Sequence, residues 1–160
     1  MTAKITMFVA GLLLLAGMSP LFAEEKITKE QVSGLVAATV TDLEKDAAAT
    51  IGKINKGEAP YKNAANPELY VFVYDLELNM VAHADKNLVG KNFKGKPDAK
   101  GKKFRDEIVA TVQEKGSGWV DYVYKKPDAD GLFPKTTFCK AAKGSDGKQY
   151  AVCCGMYLEK

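Results

Sequence analysis

Apolar residues recur at helical spacing along the first third of the chain. Val32, Leu35, Val36, Val40, Leu43, Ala47, Ile51 and Ile54 form one stripe, with Thr39 on the same face. The pattern predicts a single long helix over 24–58. Thr28-Lys-Glu-Gln31 fits a capping box at its start, Gly57 a stop, and Pro60 forbids continuation. Beyond an Asn-rich connection the period changes to two. Leu69-Tyr-Val-Phe-Val-Tyr74 is apolar on both faces, as a central strand requires, and a turn over 75–79 returns the chain into a second arm over 80–83. Residues 87–101 are rich in Lys and Gly and predict a loop. Phe104, Ile108, Val109 and Val112 then mark a short helix over 102–115, ended by Gly116. A third strand is expected over 118–124, a turn region over 127–134, and two last strands over 136–142 and 149–158 around Gly144-Ser-Asp-Gly147.

This order predicts an α+β fold. Five strands with hairpin connections make an antiparallel sheet, the long helix covers one face, and segment 87–115 covers the other. Loops resting on a rigid sheet leave concavities, so that second cover is where a ligand pocket is expected.

Ahead of the first helix, Lys4 precedes an apolar run over 5–17, broken by Ser19 and Pro20 and followed by Ala23. This is the pattern of a signal peptide over 1–23; the alternative is a membrane anchor that stays in place. Removing the first 23 of 160 residues leaves 137, enough for one domain (24–160) with a real core. Lys4 leaves and no acid does, so the formal charge falls from +3 to +2, too mild to argue for nucleic acid. A periplasmic or secreted location follows.

Cys139, Cys153 and Cys154 are the only cysteines, and an oxidising compartment favours bridging one pair. A tight turn pairing 143 with 148 sets Cys139 opposite Val152, with Cys154 its diagonal neighbour on the same face. A loop longer by one or two residues sets Cys153 or Cys154 directly opposite, so the partner stays open. A bridge from Cys139 to Cys154 contributes about 3 kcal/mol by closing a short loop. The leftover thiol leaves a redox site or an intermolecular bridge as the alternative. There is no Cys-x-x-Cys-His for covalent haem, and three thiols with a lone His83 make a poor zinc site, so no cofactor and no metal are expected.

The ordered series Tyr70-Val-Phe-Val-Tyr-Asp75, Ala82-His83, Leu88-Val-Gly-Lys-Asn92, Gly101-Lys102, Gly116-Ser-Gly-Trp-Val-Asp-Tyr-Val-Tyr124, Pro134-Lys135 and Gly155-Met-Tyr157 resembles the single Cache domain of bacterial sensors. The resemblance covers roughly 28–158. It implies a PAS-like five-stranded antiparallel sheet with a long N-terminal helix on one face and a loop and short-helix lid on the other. Such domains sit outside the membrane in chemoreceptors and sensor kinases and bind small metabolites, often short carboxylates. A second membrane helix and an output module are not seen here, so signalling is expected to run through a membrane sensor partner, with a homodimer through the N-terminal helix as a further option.

Seven residues are candidate ligand contacts. Lys135 opens a strand after Pro134, and a lysine aimed into a pocket needs an anion. Tyr122 and Tyr124 share one strand face and offer hydroxyl donors, while Trp119 lies on the other face as wall or core. His83 is the only histidine and a donor to a ligand oxygen. Phe72 and Tyr74 share a face of the first strand and line the same pocket. The basic run Lys91, Lys94, Lys96, Lys100, Lys102, Lys103 and Arg105 reads as a solvated loop and helix start.

The expected function is therefore extracytoplasmic binding of a small organic ligand such as a carboxylate. Alternatives are an interaction or scaffold module without ligand, and a thiol-dependent redox protein. No enzyme is expected, because Ser33, Ser117 and Ser145 lack a nucleophile-elbow pattern and a cysteine with His83 is not a specific signature.

Overall fold

The N-terminal helix begins where Thr28 closes a reciprocal cap: its Oγ1 accepts from the Gln31 amide at 3.2 Å, and Gln31 Oε1 accepts from the Thr28 amide at 2.8 Å. In this computed structural model, which describes residues 26–127 and 129–158, helix α1 runs over Lys29–Lys45. The expected signal segment lies outside the described residues. Among those described, no helix is long and apolar enough to cross a membrane.

The single helix expected over 24–58 is divided. Asp46 takes an extended conformation, ends α1 and caps α2 (Ala47–Lys56) by accepting from the Ala49 amide at 2.9 Å. The cause comes from a distant part of the chain. In a continuous helix the Ala47 amide would donate to the Leu43 carbonyl. Here both groups turn to Ser145: its hydroxyl accepts from Ala47, and its amide donates to Leu43, each at 2.9 Å. A hairpin tip has been inserted into the helical ladder. The apolar stripe nevertheless runs on across the break through Ala47, Thr50 and Ile54, and Gly57, in the left-handed region at φ 68°, stops α2.

Five strands follow: β1 (Val71–Asp75), β2 (Met80–His83), β3 (Ser117–Lys126), β4 (Ala129–Lys143) and β5 (Gln149–Tyr157), with helix α3 (Phe104–Lys115) between β2 and β3. They form one antiparallel sheet in the order β2-β1-β5-β4-β3. This is the expected α+β, PAS-like architecture. One element differs. The region 127–134, expected as a turn, belongs largely to β4, which starts at Ala129 and pairs with β3 back to Lys126. Pro134 fits there, its carbonyl accepting from the Leu158 amide at 2.9 Å.

Side chains alternate across the sheet. Val71, Val73, Val152 and Cys154 face α1 and α2 and pack on Val32, Val36, Val40, Leu43 and Ile54. Tyr70, Phe72, Tyr74, Tyr122, Cys139 and Cys153 face the other way and pack under Phe93, Phe104, Ile108 and Val112. That second cover is tied down by its own acids. Asp98 accepts from the amides of Lys100, Lys102 and Val123, and Asp106 accepts from the Gly95 amide. The loop is thereby fixed to α3 and to β3.

The β4–β5 turn settles the cysteine pairing. Gly144 pairs with Lys148 across a three-residue loop, with Gly147 at φ 79°. This is one residue more than the tight turn expected, and it moves the register by one. Cys139 then stands opposite Cys153 and is bridged to it, while Cys154 is a buried free thiol on the α1 face. The Cys139–Cys154 bridge is therefore excluded by register.

Candidate functional site

Lys135 lies on β4 opposite Tyr122 of β3 and Tyr157 of β5. It is 1% exposed. The glycine at 155, its diagonal neighbour on β5, makes this possible. A Cβ there would sit 2.6 Å from Lys135 Cε and collide with the Thr137 hydroxyl, so a side chain at 155 and the lysine stem cannot share the space. The ammonium donates to the Tyr70 hydroxyl at 2.7 Å. Its Nζ lies 4.4 Å from the Tyr70 ring centroid, 4.7 Å from Tyr157 and 5.6 Å from Tyr124. Ring faces supply the negative potential that a counter-ion would otherwise give. Among the described residues, no carboxylate stands within ion-pairing distance of it.

A second buried cation, read from the sequence as part of a solvated run, is Arg105. It is 7% exposed, correcting that expectation. Its Nε donates to the Tyr74 hydroxyl at 3.1 Å, and its guanidinium carbon lies 4.2 Å from the Phe104 centroid and 4.5 Å from Phe93. Here too no acid pairs with it among the described residues. One signal was present: Arg105 falls on the buried stripe of α3 with Ile108, Val109 and Val112, a position where a charge is out of place unless it has a task.

Between these groups is a cavity of about 10 Å³, lined by Tyr70, Phe72, Tyr74, Met80, His83, Phe104, Arg105, Tyr122 and Tyr124. Five of the seven expected site residues line it: Phe72, Tyr74, His83, Tyr122 and Tyr124. Lys135 stands behind Tyr70 instead of on the wall. Trp119 is not brought here. It packs on the α1 face, its ring 5.3 Å from Phe138 and under Lys29 Nζ at 5.0 Å, because β3 alternation turns it away from Tyr122. Tyr70 and Met80 were not singled out as site residues from the sequence.

The electrostatics favour an acceptor ligand. His83 Nδ1 accepts from the Asp85 amide at 2.8 Å, so the neutral ring carries its proton on Nε2. Burial, and then the charge of Lys135, lower its pKa from 6.5 to about 4, so at neutral pH it is an uncharged donor. Burial pushes Tyr74 up to about 12, against the opposing pull of Arg105, and raises Tyr70 and Tyr122 further. All three remain phenols. Tyr122 shares a 2.8 Å hydrogen bond with Thr137 and stacks on Phe104 at 3.8 Å between centroids. The cavity thus brings together Arg105, phenolic hydroxyls and an imidazole N–H, with Lys135 behind Tyr70 and no acid among the described lining residues.

The fold is shared with known proteins. The family model described as Single Cache domain 2 matches residues 18–160. Among solved structures, the periplasmic sensor domain of a chemotaxis protein is 28% identical, covering 79% of this chain and 88% of that one at a TM-score of 0.61. Two more distant structures share the fold. A Cache chemosensory domain described for carboxylic acid recognition is 22% identical, covering 81% and 92% at 0.63. A methyl-accepting chemotaxis protein from Vibrio parahaemolyticus RIMD 2210633 is 18% identical, covering 82% and 88% at 0.63. Among curated protein sequences, none matches this chain.

Proposed function

The chain belongs to the Single Cache domain 2 family, and from that premise we propose that it is an extracytoplasmic sensing domain for a small organic carboxylate. The observation that carries the reading is the pair of buried cations with no acid paired to them among the described residues. Isolated charges are expensive to bury, and Arg105 and Lys135 both face one aromatic layer whose remaining polar groups are mainly donors. An anion completes that set. Each charge-assisted hydrogen bond to it contributes on the order of 1.5–3 kcal/mol. The likeness to a sensor domain of a chemotaxis protein supports a role in signalling through a membrane sensor partner. The apolar run over 5–17 supports export.

A ligand of about five heavy atoms gains at most about 7.5 kcal/mol, which is micromolar binding at best. Calorimetric titration with carboxylates, amines and alcohols of matched size tests the reading. Carboxylates bind and the others do not, and Arg105→Met or Lys135→Met weakens binding at least tenfold. Binding of amines in preference to acids, or indifference to both substitutions, rejects it.

A further inference from the structure

The inner cavity, at about 10 Å³, has room for about one water. A whole organic acid does not fit there. A second cavity, of about 610 Å³, lies directly outside and falls in the size range of small-molecule sites. Tyr70, His83 and Tyr124 line both, so these three side chains form the wall between them. Beyond that wall the surface changes character. Pro67, Ala84, Leu88 and Pro127 give it an apolar floor, and Lys62, Lys125 and Asp85 line it as well. Lys126 is already paired with Glu68 at 2.8 Å. The outer cavity shares Tyr70, Tyr124 and His83 with the inner one and differs from it in this apolar surface. The two compartments are suited to different parts of one molecule.

We propose that the ligand is an extended organic acid, whose carboxylate passes between Tyr70, His83 and Tyr124 toward Arg105 and Lys135 and whose apolar or aromatic body fills the outer cavity. The inference rests on the carboxylate reading above and adds the size and shape of the acid. Short acids can present their carboxylate to the wall of the inner cavity but leave the apolar floor bare. Each further methylene that covers this floor strengthens binding roughly fourfold, until the cavity is filled.

The test is a titration series of acetate, butyrate, hexanoate and 3-phenylpropionate, with 3-phenylpropan-1-ol as the uncharged control. It is followed by calorimetry and by backbone amide shifts of the folded protein. Affinity is expected to rise at least 100-fold from acetate to 3-phenylpropionate. The amides of Leu88 and Lys126 should shift with the long acids and stay still with acetate. Leu88→Trp, which intrudes on the outer cavity at its apolar floor, should reduce the gain; amide mapping on the unaltered protein gives the same answer should that variant fail to fold. Equal affinity along the acid series overturns the two-compartment ligand and leaves the carboxylate reading standing. Equal binding of the alcohol and the long acid overturns the role of the carboxylate, and no binding by any acid overturns both.

Discussion

The two faces of one sheet are made of alternate residues from the same strands, yet they are built on opposite terms. Toward α1 and α2 the buried set is mostly aliphatic: Val32, Val36, Leu43, Ile54, Val71, Val73 and Val152. One polar group among them, Thr39, returns its hydroxyl to the Leu35 carbonyl at 2.8 Å. Toward α3 the buried set is aromatic and carries Lys135, Arg105 and His83. The first face satisfies itself. The second holds its positive charge with rings and phenols, and no acid pairs with it among the described residues. On the proposed reading, a face that is complete serves stability and one left open to an anion serves binding.

The contrast is broken most severely by hollowing the complete face. Leu43 is fully buried on α1. Leu43→Ala should cost about 2–5 kcal/mol in urea unfolding, and the carboxylate affinity of the protein that remains folded should be unchanged. A matching loss of affinity at low denaturant would show that the faces are not independent.

The bridge between Cys139 and Cys153 belongs to the aromatic face, with a sequence separation of 14. Replacing both by Ala should lower stability by about 3 kcal/mol. Cys154, one residue along, points to the other face, where burial pushes its thiol up to about 12. It should therefore stay a thiol, reacting with a thiol reagent only after unfolding. Rapid labelling of the native protein would contradict this placement.

Acid should weaken the binding face through His83. The unfolded imidazole takes its proton near 6.5, the folded one only near 4. The unfolded chain therefore binds more protons in that interval, and stability falls as pH is lowered through it. The loss between pH 7 and pH 5 is about 2 kcal/mol for the shift stated. Lys135 and Lys62 oppose protonation from the packed elements, and Asp85 favours it. The difference between the stability curves of the native protein and His83→Gln isolates the effect. Parallel curves would remove His83 from the account.

How far these features were legible in the chain depends on how local their causes are. The capping box at Thr28, the two-faced β1 and the grouping of Phe72, Tyr74, Tyr122 and Tyr124 follow from spacing, and spacing is in the sequence. The break at Asp46 was hidden because apolar spacing runs through it and its cause, Ser145, is 98 residues from Ala47. Arg105 was hidden by its neighbours. Six lysines beside it read as a solvated run, and only the buried stripe of α3 separates it from them. The cysteine partner turned on one residue of loop length at Gly147, a difference that strand patterning does not resolve.

The smallest expected change in stability is the most informative about the two faces. Lys135→Met keeps the unbranched stem in the space beside Gly155 and removes the charge. The ring contacts with Tyr70 and Tyr157 lose their cation, and the Tyr70 hydroxyl loses its donor. Against this, the folded state no longer carries an ammonium out of water without an anion. Apolar replacement of buried charge is often neutral or stabilising, so the free energy of urea unfolding should change by about 1 kcal/mol or less, toward greater stability if at all. Carboxylate binding should meanwhile fall at least tenfold. A substitution that leaves the fold intact and removes the ligand is what an incomplete face predicts, because its charge was never part of what holds the sheet together. A loss of more than about 3 kcal/mol, the cost of breaking a buried pair, would mean that Lys135 is already fully partnered by the rings. The asymmetry between the faces would then be one of composition alone.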